Sequence, residues 1–182
     1  MDNGESSYRR FRNGDESTFD EVLDTYRESL IFFINRYTRD LSAAEDIAID
    51  VFTELIIHRH RYNFKSSLKT YLFTIGRRRA VDFLRRKSRV KITPLSEAEN
   101  LAESATFEDR ILKDEIKRTV NSAIEKLPDN MRIAVHLIYF EGLTYDEAAG
   151  VMKKNRKQVD NLLYRAKKEL RSIIGEEGRK LL

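Results

Sequence analysis

A dense run of arginines, with aromatic and aliphatic residues between them, has the clearest chemistry in this sequence. The stretch YLFTIGRRRAVDFLRRKSR covers residues 71–89, and from Arg77 to Lys91 there are eight basic residues and one acidic residue, Asp82. Arginines bind phosphates, and aromatic rings stack on unpaired bases. The stretch predicts either a surface that holds nucleic acid or a charged helix face exposed to solvent.

Helical periodicity, at about 100° per residue, divides a predicted helix from about Ser67 to Arg86 into two faces. One face is apolar, and the other carries Thr70, Thr74, Arg77, Arg78, Val81 and Arg85. The preceding loop, HRHRYNFK, adds further basic and aromatic residues. We expect the arginines to hold the backbone of single-stranded or melted DNA, while Tyr62, Phe64 or Tyr71 stacks on a displaced base or walls it in. The alternative is a basic surface helix.

A second candidate lies near the C-terminus, where a short helix, the turn KKN and a long helix from Arg156 to about Ile174 predict a helix-turn-helix. The long helix has an apolar face, and the opposite face has donors and an aromatic residue at Lys157, Asn161, Tyr164, Arg165 and Lys168. Such side chains contact phosphates and base edges. The alternative is a hairpin of two helices with a solvated, lysine-rich face.

A third candidate is an acidic stripe on a helix predicted from Ser42 to about Arg59, with Ser42 and Glu45 as its capping box. Asp46, Asp50 and Glu54 recur every four residues, which predicts either a solvated face or a surface for a basic partner. The residues alone favour the solvated face. His58 and His60 point to different sides of a helix and predict no metal site.

The composition predicts an all-α protein, since 7 Gly and 2 Pro in 182 residues are few for a chain rich in turns. The absence of Cys excludes disulfides. No apolar run reaches the roughly 20 residues that span a bilayer, and we expect a cytoplasmic protein. We expect two small helical domains at 15–89 and 108–176, a flexible N-terminus at 1–14, a linker at 90–107 and a tail at 177–182. Neither a phosphate-binding loop nor a nucleophile with its base is evident, so we expect no enzyme, cofactor or metal.

Three segments together resemble a bacterial sigma factor of the extracytoplasmic-function type, in the sigma-70 family. AEDIAIDVFTELI looks like the region 2 helix that docks on the β′ clamp helices of RNA polymerase. SLKTYLFTIGRRRAVDFLRR looks like the helix that reads the −10 element, and the segment from LPDNMRIAVHLIYF to NLLYRAKKEL looks like region 4, which reads the −35 element. The resemblance implies a subunit that binds core polymerase, through the β′ clamp helices and the β flap, and promoter DNA, and that an anti-sigma factor regulates.

The resemblance assigns residues to each interface. It implies core-polymerase binding by Asp46, Ile49, Asp50 and Glu54. It implies −10 binding by Tyr62, Phe64, Lys69, Thr70, Tyr71, Thr74, Arg77, Arg78 and Arg85. It implies −35 binding by Arg156, Lys157, Asp160, Asn161, Tyr164, Arg165 and Lys168. The linker would thread the RNA exit path, with Glu97, Glu99, Glu103 and Glu108 imitating a nucleic-acid backbone.

The sequence departs from the family pattern at several of these positions. Ile49 stands where Gln is frequent, Tyr71 where Trp is frequent, and Arg78 where Asn is frequent, so base preference at −10 cannot be copied from relatives. A free-standing helix-turn-helix regulator, with residues 15–88 as a sensing or dimerisation domain, is the alternative function. A protein–protein adaptor is the third.

Overall fold

The structure is a computed structural model that describes residues 3–90 and 115–180, with the side chains of 4–89 and 119–175. The chain divides into two compact units. The N-terminal helices are α1 (Asn3–Arg12), α2 (Phe19–Thr38), α3 (Leu41–Ile57) and α4 (Leu68–Val90), with a short 3-10 turn at Glu16–Thr18. The C-terminal helices are α5 (Glu115–Glu125), α6 (Asp129–Val135), α7 (Tyr145–Met152) and α8 (Arg156–Lys180), and a π-helical segment at His136–Phe140 follows α6. The described residues include no strand, which confirms the all-α prediction.

The core of the N-terminal unit forms where α2 packs against α3 and α4. Val22, Tyr26, Leu30 and Phe33 recur on one side of α2, and none of them is exposed. Gly76 allows α4 to approach closely, because a Cβ atom at this position would lie 3.0 Å from a methyl group of Leu30. The arginine-rich helix is therefore held in place by its apolar side.

The N-terminal segment departs from the expectation of a flexible 1–14. Residues Asn3–Arg12 form α1, and Tyr8 and Phe11 are buried. The Tyr8 hydroxyl donates to the carbonyl oxygen of Arg59 at 3.0 Å. The prediction was wrong because two aromatic residues at a spacing of three are enough to dock a segment whose other residues are polar.

The start of α3 also differs from the prediction of a Ser42–Glu45 capping box. The N-cap is Asp40, whose carboxylate accepts a hydrogen bond from the Ala43 amide at 3.1 Å. Ser42 lies within the first turn of the helix. The helix begins earlier because Arg39 adopts a left-handed conformation, with φ of 50°, and ends α2 there.

Helix α7 of the C-terminal unit starts with the predicted capping box of Thr144 and Glu147. The Thr144 amide donates to the Glu147 carboxylate at 2.9 Å, and the Glu147 amide donates to the Thr144 hydroxyl at 3.3 Å. A second box was not predicted: the amides of Asn155 and Gln158 each donate to the other's side chain, at 2.9 and 2.8 Å. Reciprocal bonds of this kind fix where a helix starts, so both helices of the predicted helix-turn-helix have defined first turns.

Two predicted segments meet the ends of the described ranges. Val90, expected to start the linker, ends α4, and α8 continues to Lys180, into the expected tail at 177–182. Residues 91–114 lie outside the described residues. This range contains the four linker glutamates, Glu97, Glu99, Glu103 and Glu108. The domain bounds and the path of the linker stay predictions. No helix in the described ranges is both long and apolar enough to cross a bilayer.

Candidate nucleic-acid and protein interfaces

The outward face of α8 has the exposure that a DNA-reading helix requires. Val159, Leu163 and Ala166 are buried against the unit. The predicted contact residues all lie on exposed positions, and Tyr164 is 72% exposed. Their full set is Arg156, Lys157, Asp160, Asn161, Tyr164, Arg165 and Lys168. The geometry thus presents a continuous polar face with an aromatic ring within it.

The connection between α7 and α8 is short and conformationally defined. Lys153 adopts a left-handed conformation with φ of 52°, and the Lys154 amide donates to the Ala149 carbonyl at 2.9 Å. Arg156 also forms an ion pair with Asp146 at 3.1 Å. Together with the Asn155 cap, these contacts set the start of α8 relative to α7, as in a helix-turn-helix.

The outward face of α4 is less uniform than the sequence predicted. Thr74, Arg78 and Arg85 are exposed, and Lys69, Tyr71 and Arg77 are half-buried. Thr70 does not lie on the exposed face as predicted. It is buried, and its hydroxyl lies 2.8 Å from that of Ser67. The Thr70 amide donates to the Ser67 hydroxyl as well, so this pair caps the start of α4.

Arg77 lies beside α2 as well as on the outward face of α4. Burial raises the pKa of Tyr37, on α2, to about 12, and the nearby positive charge of Arg77 opposes that rise. The guanidinium is therefore next to a half-buried phenol, and this limits the directions in which it can reach.

Tyr62, in the loop before α4, also differs from the prediction that it contacts a displaced base. This side chain is 1% exposed, so it is not available to stack on a base. Its hydroxyl donates to the Ser66 carbonyl at 2.6 Å, and its ring packs against those of Phe64 and Tyr71, at centroid distances of 4.5 and 5.0 Å. Tyr62 supports the two more accessible rings, which remain candidates for contact with an unpaired base.

Ion pairs join the acidic stripe on α3 to the arginines of α4. Glu54 accepts hydrogen bonds from Arg78 at 3.1 Å and from Arg79 at 2.8 Å. Arg79 also donates to Asp50 at 2.9 Å. The Glu54 side chain is only 12% exposed, so the expectation that this residue lies open for a partner is wrong. Sequence spacing missed the contact because it depends on how closely two helices approach.

The pKa of Glu54 reports the same arrangement. Burial of the carboxyl group would raise its pKa, but the hydrogen bonds and charges of Arg79 and Arg78 outweigh burial and lower it below its usual value. The carboxylate is thus held ionised in the folded protein, and it binds Arg78, which is a −10 candidate, together with Arg79, which is not.

The rest of the α3 surface is open and mixed in character. Asp46 and Asp50 are exposed, and Ile49 is 60% exposed. Ile49 and Ile56 also line an apolar groove between α2 and α3. Exposed isoleucines beside carboxylates are typical of a protein-docking surface rather than of a solvated face. Within the described ranges, no cluster of His, Cys, Asp and Glu suits a metal ion.

Two family models match the chain. Sigma-70 region 2 matches residues 22–90, and Sigma-70 region 4 matches residues 117–170. The ECF RNA polymerase sigma factor SigM of Bacillus subtilis is 28% identical over 156 residues, which is 86% of this chain and 94% of SigM. The RNA polymerase sigma-H factor of Pseudomonas aeruginosa is 29% identical over 174 residues, 88% of each chain.

Solved structures have the same fold. The sigma factor RpoE of Bartonella quintana, in complex with the anti-sigma factor NepR, matches with a TM-score of 0.67 at 21% identity, over 86% of this chain and 96% of RpoE. CnrH, in complex with the cytosolic domain of CnrY, matches with a TM-score of 0.63 at 17% identity, over 93% of this chain and 96% of CnrH.

Proposed function

Because this chain belongs to the sigma-70 family, as a sigma factor of the extracytoplasmic-function type, we propose that its two units divide promoter recognition between them. The protein binds core RNA polymerase and directs promoter-specific initiation. In our proposal, α8 reads the −35 duplex, while α4 and its preceding loop bind the −10 element as it opens. The protein performs no chemistry of its own, and it acts in the cytoplasm, where the polymerase transcribes.

The −35 role is supported by the exposed polar face of α8. The N-terminal residues of a recognition helix lie nearest the base edges, which places Lys157, Asp160 and Asn161 there. An Asn side chain can pair with adenine, and an Asp carboxylate accepts from the amino group of cytosine. Arg165 and Lys168 lie further along the helix and bind the phosphates.

The −10 role is supported by basic groups along the outward side of α4 and by aromatic groups at its N-terminal end. Thr74, Arg77 and Arg85 lie on the outward side of the helix and bind the DNA backbone. Phe64 and Tyr71 are half-buried, and they lie just before the start of the helix and in its first turn. Base stacking on an aromatic ring is worth about 1–3 kcal/mol per base, so one captured base helps to keep the duplex open.

The polymerase-binding surface differs from the one predicted by sequence. Asp46, Ile49 and Asp50 remain its candidates for the β′ clamp helices, since they are exposed. Glu54 instead holds Arg78 and Arg79 in place. For the β flap we propose the exposed aromatic pair Tyr139 and Phe140 of the C-terminal unit, which are 53% and 54% exposed.

An anti-sigma factor is the regulatory partner that we propose. RpoE was solved in complex with the anti-sigma factor NepR, and CnrH was solved in complex with the cytosolic domain of CnrY. The apolar groove between α2 and α3 is a surface that such a partner can cover, and covering it would hide Ile49 from the polymerase.

The observation that carries the proposal is the presence, in one chain, of both matched regions with a basic helix exposed in each. The test is run-off transcription with purified core polymerase and the region upstream of the protein's own gene. We expect transcripts that require the protein and that Asp46→Lys weakens. A protein that initiates at no promoter, and that binds an operator tightly without polymerase, would instead be the free-standing regulator.

A further inference from the structure

Helix α1 covers the loop that precedes α4. The Tyr8 hydroxyl donates to the carbonyl of Arg59, and the Tyr8 ring packs against Tyr62 at a centroid distance of 5.7 Å. The Arg12 guanidinium donates to the Tyr62 carbonyl at 3.5 Å. The loop is therefore positioned from both sides, by α4 and by a helix that sequence patterns did not reveal.

Two arginines of α1 meet the accessible ring of this loop. The guanidinium carbons of Arg9 and Arg12 lie 4.0 and 4.5 Å from the centroid of the Phe64 ring. Phe64 is half-buried and has φ of 60°, which is unusual for a bulky residue. In this strained backbone conformation, the Phe64 ring lies against α1.

The loop around Phe64 is basic, although Glu54 pairs with Arg61 at 3.8 Å and Glu5 accepts a hydrogen bond from Tyr62 at 3.2 Å. The loop segment 58–67 contains Arg59, Arg61 and Lys65 and no acidic residue. Arg9 and Arg12 extend this basic surface onto α1, and the Arg9 side chain is 55% exposed although it pairs with Glu5 at 3.2 Å. An aromatic ring with cationic groups over its face can stack on a base when those groups turn to the phosphate beside it.

We propose that α1 is part of the −10 interface, and that Arg9 and Arg12 bind the phosphates next to the base that stacks at Phe64. The inference rests on the proposed role of the loop in opening the −10 element. The guanidinium groups turn from the ring towards the backbone of the displaced strand, and the helix keeps them within reach of the stacked base.

A purely structural role for these arginines is the alternative. Cation–π contacts at exposed sites contribute about 0.5–1 kcal/mol, so either arginine alone could simply fasten the loop. The two roles differ in salt dependence, because binding a phosphate releases counterions and packing on a ring does not. For single strands, the slope of log K against log salt falls by about 0.7 for each phosphate that is no longer neutralised.

The experiment measures binding of holoenzyme to a fork template with a single-stranded −10 segment, across a range of salt concentrations. We expect Arg9→Gln and Arg12→Gln each to lower the slope by about 0.7, and the double variant by about 1.4. Arg9→Lys should keep the wild-type slope. Arg10→Gln is the matched control, since Arg10 lies on the same helix, is 57% exposed and pairs with Asp15 instead.

An unchanged slope in the double variant would overturn the proposal, even if affinity fell, because the arginines would then only fasten the loop. The proposed function is checked in the same assay by wild-type protein and by Arg77→Ala. If wild-type holoenzyme binds the fork and Arg77→Ala weakens it while the α1 variants change nothing, the α1 inference fails and the −10 role stands.

Discussion

The two helices that we assign to DNA differ in what surrounds their basic groups. On α8, Lys157, Arg165 and Lys168 lie on exposed positions. On α4, Arg78 and Arg79 are held by Glu54 and Asp50 of the neighbouring helix. The face that we assign to closed duplex is exposed, whereas ion pairs join the face that we assign to the opening strand to α3, the helix that we propose docks on polymerase.

Charge-assisted hydrogen bonds are stronger than neutral ones, so the ion pairs between α3 and α4 help to fix the orientation of these two helices. Loss of a charge on α8 should change affinity and leave the fold intact. Loss of a charge in the α3–α4 cluster should instead lower the free energy of unfolding.

The largest expected effect is on α8, in the double variant Lys157→Gln with Arg165→Gln. Holoenzyme binding to a −35 duplex should weaken by about tenfold to a hundredfold, because Lys157 is lost from the base edges and Arg165 from a phosphate. The salt slope should fall by about 0.9, because one phosphate is no longer neutralised. Fluorescence anisotropy of a labelled duplex measures both quantities.

The control for this prediction is Lys167→Gln. Lys167 belongs to the same helix but is not one of the assigned DNA contacts, because its ammonium lies 5.7 Å from the centroid of the Tyr139 ring. Equal losses in the control and the double variant would mean that net charge, rather than the assigned residues, governs binding.

The second prediction concerns stability, through Glu54→Gln. Removing the carboxylate charge should lower the free energy of unfolding at pH 7 by about 1.5–3 kcal/mol, the usual contribution of hydrogen bonds to a charged group. Urea denaturation followed by circular dichroism measures the loss. Glu45→Gln, an exposed position on the same helix, should change stability by less than about 0.5 kcal/mol.

The stability difference between wild type and Glu54→Gln should also depend on pH. The pKa of Glu54 in the folded protein lies below its usual value of 4.5, so the ionised carboxylate stabilises the fold above that value. As pH falls through the lowered folded pKa, this contribution is lost. The stability gap between wild type and Glu54→Gln should therefore narrow below pH 4.5, and a gap that stays constant would argue against the ion pairs as its source.

The third prediction concerns strand opening, through Arg77→Ala. Removing one guanidinium that binds the DNA backbone should reduce open-complex formation about fivefold, as about 1 kcal/mol implies. Permanganate reactivity of unpaired thymines measures opening. Arg86→Ala is the control, because Arg86 lies about 180° round α4 from Arg77; a matching loss there would refute the assigned face.

The smallest expected effect separates the two candidate caps of α3. Asp40→Ala should lower the free energy of unfolding by about 1 kcal/mol, since it removes the N-cap. Ser42→Ala should change it by less than about 0.5 kcal/mol. Thr144→Ala gives the corresponding value for the capping box of α7 in the C-terminal unit. If Ser42→Ala cost more than Asp40→Ala, the start of α3 would be assigned wrongly.

Sequence predicted best where one helix determines the outcome by itself. The periodicity of α8 was enough to separate its buried side from its exposed side, and the Thr144 box needed only local spacing. It failed where helices meet. The burial of Tyr62 depends on α1, and the pairing of Glu54 depends on the approach of α4, and neither approach is encoded in the spacing along a single helix.

Arg79 and the arginines of α1 illustrate the same limit. Arg77, Arg78 and Arg79 are identical in type and consecutive, yet their partners differ: Arg77 lies beside Tyr37, and the other two bind Glu54. Arg9 and Arg12 lay in a segment expected to be flexible. Only the docking of Tyr8 and Phe11 brings them to Phe64.

Separate measurement of the binding and opening steps on one promoter tests the division of roles most directly. Holoenzymes carrying Lys157→Gln with Arg165→Gln, or Arg77→Ala, are compared for initial binding and for the rate of strand opening. We expect the α8 variant to weaken binding while opening stays near wild type, and the α4 variant to slow opening while binding stays near wild type. If both variants change the same step by the same factor, the two units do not divide promoter recognition in this way.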